Sequence, residues 1–208
     1  MAETFLEVER RYKVPDVDAC LKHIAELGIT TVSSTHLVDE WYIPDTIKSQ
    51  AEHDTWYNQD FGVAWRIRHI YEDDGEKLEV TSKQLTTDNN HNSFHETSAE
   101  FADYEAAVKF MTDQHYRNWL TIDKTRYLLA SSNPDIDDSK FELILDYVAG
   151  LAEKIGVGAC LEIEHKSTLS RDEALEQIAQ IAHILGFEPE DLFEKSLTVT
   201  AMSELARL

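Results

Sequence analysis

The chain is short of cysteine, turn-forming residues and positive charge, and each shortage excludes something. The 208 residues contain only two cysteines, Cys20 and Cys160. They lie far apart, with no second Cys or His at ligand spacing, so neither a zinc site nor a disulfide framework is expected, and a reducing cytoplasm fits. Seven glycines and four prolines leave little room for linkers, and no repeat or low-complexity run separates two halves, so one domain over residues 1–208 is expected. No stretch approaches the ~20 apolar residues of a membrane span. The opening MAETFLEVER has neither the basic n-region nor the apolar h-region of a secretory leader. Nineteen Lys+Arg stand against 40 Asp+Glu, a formal charge of −21. A surface this acidic repels phosphate backbones and anionic lipid over a Debye length of roughly 8 Å. Nucleic acid and membrane are therefore excluded as partners, and a monomer or homodimer acting on a small molecule is expected.

What is present describes a folded protein, since 42% of residues are hydrophobic and 10% aromatic, too many for an acidic disordered chain. Helical spacing appears after Pro15-Asp16, where Val17, Cys20, Leu21, Ile24 and Leu27 are stopped by Gly28. It recurs over 103–116 through Ala106, Ala107, Phe110 and Met111. A third helix follows Ser170 and Glu173, a capping box ahead of Ala174, Ile178, Ile181, Ala182 and Leu185, and ends at Gly186. Pro189 to Glu194 reads as one further turn. Segments 5–13, 36–43, 62–71, 77–84, 94–101, 120–130, 140–148 and 160–167 read at period two, which predicts about eight strands. Strands outnumber helices and are grouped, so the expected class is α+β: an eight-stranded antiparallel barrel with peripheral helices. The stretch 44–61 reads as a long connection without an element of its own.

Alternation along these strands separates charged from apolar faces. Glu7, Glu9 and Arg11 fall together, as do Arg66 with Arg68, Glu79 with Thr81 and Lys83, Lys124 with Arg126, Glu142 with Asp146, and Glu162 with Glu164 and Lys166. A solvated antiparallel sheet also shows polar-out alternation. Solvated faces, however, usually mix Ser, Thr, Gln, Lys and Glu, whereas Arg-x-Arg, Lys-x-Arg and Glu-x-Glu recur here. In a closed barrel those faces would line one lumen, and about eight strands can enclose a ligand. A lumen rich in Arg and Lys requires an anion, because unpaired buried charge costs several kcal/mol per ion. Guanidinium forks match phosphate oxygens, while Mg²⁺ commonly takes one or two carboxylates plus substrate phosphates. Both signs together point to a polyphosphate with its metal ions.

The same residues carry a family resemblance. Glu7-Val8-Glu9-Arg10-Arg11 is similar to the ExExK signature of the CYTH superfamily, the triphosphate tunnel metalloenzymes, which include class IV adenylyl cyclases, thiamine triphosphatases and inorganic triphosphatases. VDEWY at 38–42 resembles the family's D-x-Y-F strand, WRIR at 65–68 its L-R-I-R, and VTSK at 80–83 its T-x-K. Glu96 resembles the acidic strand that follows, DKTR at 123–126 the K-x-R, LDYVAGL at 145–151 the D-x-V-x-G-L, and LEIE at 161–164 the E-I-E. The resemblance runs from Glu7 to about Ser196.

It implies a tunnel in which Arg11, Arg66, Arg68, Lys83, Lys124 and Arg126 hold a triphosphate, with Lys195 closing one end. It further implies Mg²⁺ or Mn²⁺ on Glu7, Glu9, Glu162 and Glu164, joined by Asp146 and Glu96, with Glu100 able to substitute for Glu96. Glu7, Glu9, Arg11 and Lys83 form the expected catalytic set. The expected activity is metal-dependent hydrolysis of a triphosphate; the alternatives are cyclisation of ATP to cyclic AMP with release of pyrophosphate, and a tunnel that binds nucleotide or polyphosphate without turnover.

Arg11 departs from the signature's Lys and is too strongly basic to donate a proton near neutrality. Leu197 replaces a family Tyr, and both AGLAEKIGVGACLEIE and 44–61 are longer than usual. His23, His115 and His183 read as surface or packing residues, and His165 falls on the face opposite Glu162 and Glu164. Trp41, Trp56, Trp65 and Trp119 read as core, with Trp56 the best placed of them for a lid.

Overall fold

The computed structural model describes the chain except residues 1–2, 59, 61, 73–74, 87–92, 167–169, 194–196, 198–199 and 202–208, and leaves the side chains of 3–7, 58 and 93–94 undescribed. Its elements are β1 (Glu3–Val14), α1 (Val17–Glu26), β2 (Ile29–Pro44), α2 (Gln50–Asn58), β3 (Ala64–Glu72), β4 (Gly75–Leu85), β5 (Ser93–Phe101), α3 (Tyr104–Asp113), β6 (Tyr116–Ser131), β7 (Phe141–Val148), α4 (Ala152–Ile155), β8 (Ala159–His165) and α5 (Arg171–Ile184), then a 3-10 turn at Pro189–Asp191. The class is α+β, eight antiparallel strands with five α-helices. Each of the eight strand segments read from the sequence overlaps an observed strand. No described helix is long and apolar enough to cross a membrane.

The helix ends follow the capping chemistry. Asp16 accepts from the Ala19 amide at 3.0 Å, and Asp103 from the Ala106 amide at 2.7 Å. Ser170 and Glu173 form the expected capping box. Gly28 and Gly186, with φ of 84° and 83°, occupy the left-handed position past α1 and α5 that a side chain would strain.

Two expectations change. The connection 44–61 contains α2, begun by a reciprocal pair in which the Glu52 amide donates to Ser49 Oγ and the Ser49 amide to Glu52 Oε2, both at 3.2 Å. The weak apolar periodicity of QAEHDTWYN hides this helix, although Ser-x-x-Glu announces its start. The long segment before β8 contains α4, closed by Gly156 at φ 75°.

The chain forms two compact units, one of Met1–Leu6, His36–Lys124 and Thr198–Leu208, the other of Glu7–Thr35 and Thr125–Leu197. In the first, β2, β3, β4 and β5 pair successively, and β6 flanks β2. One face of this ladder buries Tyr42, Ile67 and Val80 against Ala107 and Met111 of α3, with Trp65, Leu78, Phe101 and Phe110 packed around them. In the second, β7 pairs with β8 and β8 with β1. Val8, Tyr12, Leu143, Leu145, Leu161 and Ile163 there form a core with α1 and α5 through Ile24, Ala174, Ile178 and Ala182. Each fully buried Leu or Ile contributes on the order of 1.5–3 kcal/mol. Burying one face of each ladder beneath helices fixes the register, because a slip of one residue would turn every charge on the other face into the core.

Candidate functional site

Register shows which charges share a face, since residues directly opposite in an antiparallel pair point the same way. In the first unit Asp39 lies opposite Arg68 and Trp41 opposite Arg66. Arg66 lies opposite Thr81, and Arg68 opposite Glu79. Thr81 lies opposite Ser98, and Lys83 opposite Glu96. All belong to the face away from α3.

The hub of this group is Asp39, 1% exposed. Arg68 donates to it through both Nε (2.6 Å) and Nη2 (2.7 Å), a fork that a lysine cannot make. Lys124 Nζ lies 3.4 Å and Arg66 Nη1 3.9 Å from Asp39 Oδ2. Burial alone would raise the Asp39 carboxyl, but Arg68, Lys124 and Arg66 outweigh it and hold it well below the usual carboxylate range. Arg66 is itself lowered, first by burial and then by Arg68, against the pull of Asp39, Glu96 and Glu79. Its Nη2 donates to Thr81 Oγ1 at 3.1 Å and to Glu79 Oε1 at 3.3 Å. Lys83 pairs with Glu96 at 2.7 Å.

In the second unit Glu9 lies opposite Glu164 and Arg11 opposite Glu162, while Glu142 lies opposite Glu164. Arg11 donates through Nε to Glu162 Oε1 at 2.7 Å and also pairs with Glu9. Arg126 grips Asp146 through Nε (2.8 Å) and Nη2 (2.7 Å), and its Nη2 lies 3.6 Å from Glu162 Oε2. The result is an alternating string, Glu9, Arg11, Glu162, Arg126, Asp146. Lys166 lies at its half-exposed margin, 3.4 Å from Glu142.

The predicted residues therefore gather in two groups. Arg66, Arg68, Lys83, Lys124 and Glu96 belong to the first unit, and Glu9, Arg11, Arg126, Asp146, Glu162 and Glu164 to the second. Glu100 is exposed. Lys195 and the side chain of Glu7 lie outside the described residues. His165 packs edge-on to Phe141 at 4.9 Å, and its Nε2 lies 3.1 Å from Gln177 Oε1, as its alternation implied. Trp56 packs over Gly62, where an added Cβ would overlap the indole.

Sequence reasoning missed Asp39. The signal lay in VDEWY, where alternation puts Asp39 with Trp41, and Asp39 became recognisable once the register set it opposite Arg68.

The acidic string offers only carboxylate oxygen, the donor that hard divalent cations such as Mg²⁺ and Mn²⁺ prefer. Glu9 is 1% exposed; among the described residues its Oε1 has no hydrogen-bond partner, and it pairs with the charge of Arg11. Among the described residues no three acidic, His or Cys side chains converge on a ready cage, because arginines stand between them. Magnesium sites built from one or two carboxylates plus substrate phosphates need no such cage, so the residues present fit the metal.

The CYTH domain family model matches residues 6–197. Among solved structures, the PH1819 protein of Pyrococcus horikoshii aligns at TM-score 0.72 and 19% identity, over 95% of this chain and 98% of that one. A candidate adenylate cyclase from Vibrio parahaemolyticus aligns at 0.67 and 16%, over 94% and 97%. HpAC1 from Hippeastrum, a candidate adenylyl cyclase with a dominant triphosphatase activity, aligns at 0.58 and 12%, over 100% and 98%. No curated protein matches the chain.

Proposed function

The chain belongs to the CYTH domain family, and from that premise we propose that it is a metal-dependent triphosphatase. Its eight strands would close into a tunnel, and the family match across both units supports treating 1–208 as one working domain. The observation that carries the reading is the unequal charge of the two groups. Three cations, Arg66, Arg68 and Lys124, face the one buried carboxylate of Asp39, and Lys83 pairs with Glu96 in the same unit. In the second unit Glu9, Asp146, Glu162 and Glu164 outnumber Arg11 and Arg126. A triphosphate requires the first kind of wall and its cation the second.

Phosphoryl transfer is governed by positioning and charge neutralisation. Arg66, Lys83 and Lys124 hold the phosphate chain. Arg68 is braced by Asp39, so its remaining N–H groups are presented in a fixed direction. Glu9, Glu162 and Glu164, with Glu7 and Asp146, would hold Mg²⁺ or Mn²⁺. The metal, when bound, neutralises phosphate charge and acidifies water. Arg11, which pairs with Glu9 and Glu162, would serve as a further phosphate ligand. A guanidinium is a poor proton donor near neutrality, so proton transfer would fall to a carboxylate or to water. The products are orthophosphate and the diphosphate. The substrate is a small, freely diffusing triphosphate, since the net charge of −21 opposes nucleic acid and membrane alike. Two free cysteines fit the cytoplasm, and a monomer or homodimer suffices.

The test is incubation with tripolyphosphate, ATP or thiamine triphosphate in Mg²⁺ or Mn²⁺. Orthophosphate release is expected. Cyclic AMP with pyrophosphate from ATP would replace hydrolysis by cyclisation, and ligand-dependent stabilisation without product would reduce the protein to a binding module.

A further inference from the structure

Trp41 and Arg66 occupy directly opposed positions of the β2–β3 ladder, so both side chains lie on the charged face. The guanidinium carbon of Arg66 sits 5.7 Å from the Trp41 ring centroid, a cation stacked on an indole. Trp41 is 5% and Arg66 6% exposed. Both nevertheless leave a buried donor without an acceptor among the described residues, Nε1 of Trp41 and Nε of Arg66.

A buried indole N–H normally finds a partner, and a buried donor without one is costly. Arg66 is not poorly seated, since its Nη2 has Thr81 and Glu79 and its Nη1 faces Asp39. The unused N–H is the one on the side chain stacked against Trp41. Two neighbouring unsatisfied donors, one of them cationic, call for a single acceptor that bears negative charge and takes two hydrogen bonds. A phosphoryl oxygen has that chemistry.

We propose that Trp41 is a substrate-contacting residue, its indole N–H and the Nε–H of Arg66 together seating one phosphoryl oxygen of the triphosphate. This inference rests on the triphosphatase reading above and adds to it a neutral donor in a wall otherwise made of charges. Asp39 sets the position of the seat, because it holds Arg68 on the neighbouring site of the same face and limits the approach of Arg66. The seat gives Trp41 a role beyond packing, in which the ring supports the guanidinium and the N–H completes its hydrogen bonding to the ligand.

The test uses the full chain, without metal, titrated with tripolyphosphate. In the spectrum of ¹⁵N-labelled indoles the Trp41 resonance, identified by its loss in Trp41→Phe, moves downfield on binding and exchanges more slowly with solvent. Trp41→Phe keeps the stacked ring but removes the donor, and calorimetry gives about tenfold weaker tripolyphosphate binding, equivalent to ~1.4 kcal/mol. Binding by the unaltered protein with a stationary Trp41 resonance, or equal affinity in a folded Trp41→Phe, overturns this inference and leaves the triphosphatase reading standing. Absence of any tripolyphosphate binding by the unaltered protein overturns both. Should Trp41→Phe fail to fold, through-bond assignment of the resonance in the unaltered protein decides alone.

Discussion

The two charged groups are assembled by opposite rules. In the first unit one buried carboxylate, Asp39, faces three cations, with Arg68 at 2.6 Å, Lys124 at 3.4 Å and Arg66 at 3.9 Å. In the second, two arginines are threaded between three carboxylates, and Glu162 reaches Arg11 with one oxygen and Arg126 with the other. Charge is nearly balanced within each contact but not within each group. The surplus therefore has a sign, positive around Asp39 and negative around Glu162, and a surplus of buried or half-buried charge costs stability unless a ligand answers it. The comparison separates two kinds of charged face, one with spare positive and one with spare negative charge, each kept folded by a minority of opposite charge. Arg68 and Arg126 are the matched braces, each committed by a two-point fork to an aspartate, whereas Arg66 and Lys124 stand farther from Asp39, at 3.9 and 3.4 Å.

Removing the hub of either group should break this comparison most sharply. Glu162→Ala leaves Arg11 and Arg126 facing an empty position, and metal-dependent phosphate release should fall by at least a thousandfold, on the order of 4 kcal/mol; Glu9→Ala should fall similarly. Steady-state hydrolysis checks both, with circular dichroism confirming the fold. Full activity in both would remove the metal assignment.

Asp39→Asn is next in size. It strands three cations, and breaking a buried pair by removing one partner costs about 3–5 kcal/mol, read as a lower denaturant midpoint. The pH dependence has a definite sign. Asp39 is held below its ordinary range, so its ionisation favours folding above the unfolded value of about 3.9, and that contribution disappears as pH falls through the depressed folded value. The advantage of the unaltered protein over Asp39→Asn should be complete near neutrality and shrink only below about pH 4. An advantage that shrinks instead between pH 6 and 8 would exclude Asp39 as its source.

Arg66→Ala should leave the fold intact and raise the KM for a triphosphate about tenfold or more, with a much smaller effect on a monophosphate. Equal effects on the two would argue against a clamp spanning several phosphates. The smallest effect belongs to the margin. Lys166→Ala removes a half-exposed pair with Glu142 and should shift stability by less than about 1 kcal/mol, with kcat and KM unchanged.

Much of this was legible in the sequence because both ladders are half-buried. Alternation in AWRIRHI, KLEVTSK and CLEIEHKS separates core from charge, and the register confirms the separation strand by strand. Less legible were the places where local pattern is weak. The helix α2 carries few apolar residues at helical spacing, and the first part of β2, ITTVSST, is largely exposed and does not alternate. Partner choice was not legible at all. Strand faces put Arg68 and Arg66 together as equivalent ligands, but whether a guanidinium is committed to a buried carboxylate or available to a phosphate depends on the residue across the ladder, which only pairing reveals. Asp39 and Trp41 were passed over for that reason, although both stand in a segment noted for its motif.

The central claim, that phosphate and metal are held by separate walls, is tested most directly by crossing two ligands with two variants. Tripolyphosphate binding without metal, by calorimetry, and Mn²⁺ binding, by electron paramagnetic resonance, would be measured in Arg66→Ala and Glu162→Ala. Arg66→Ala should lose most affinity for tripolyphosphate while keeping that for Mn²⁺, and Glu162→Ala should do the reverse. Equal loss of both ligands in each variant, in proteins that remain folded, would contradict the account.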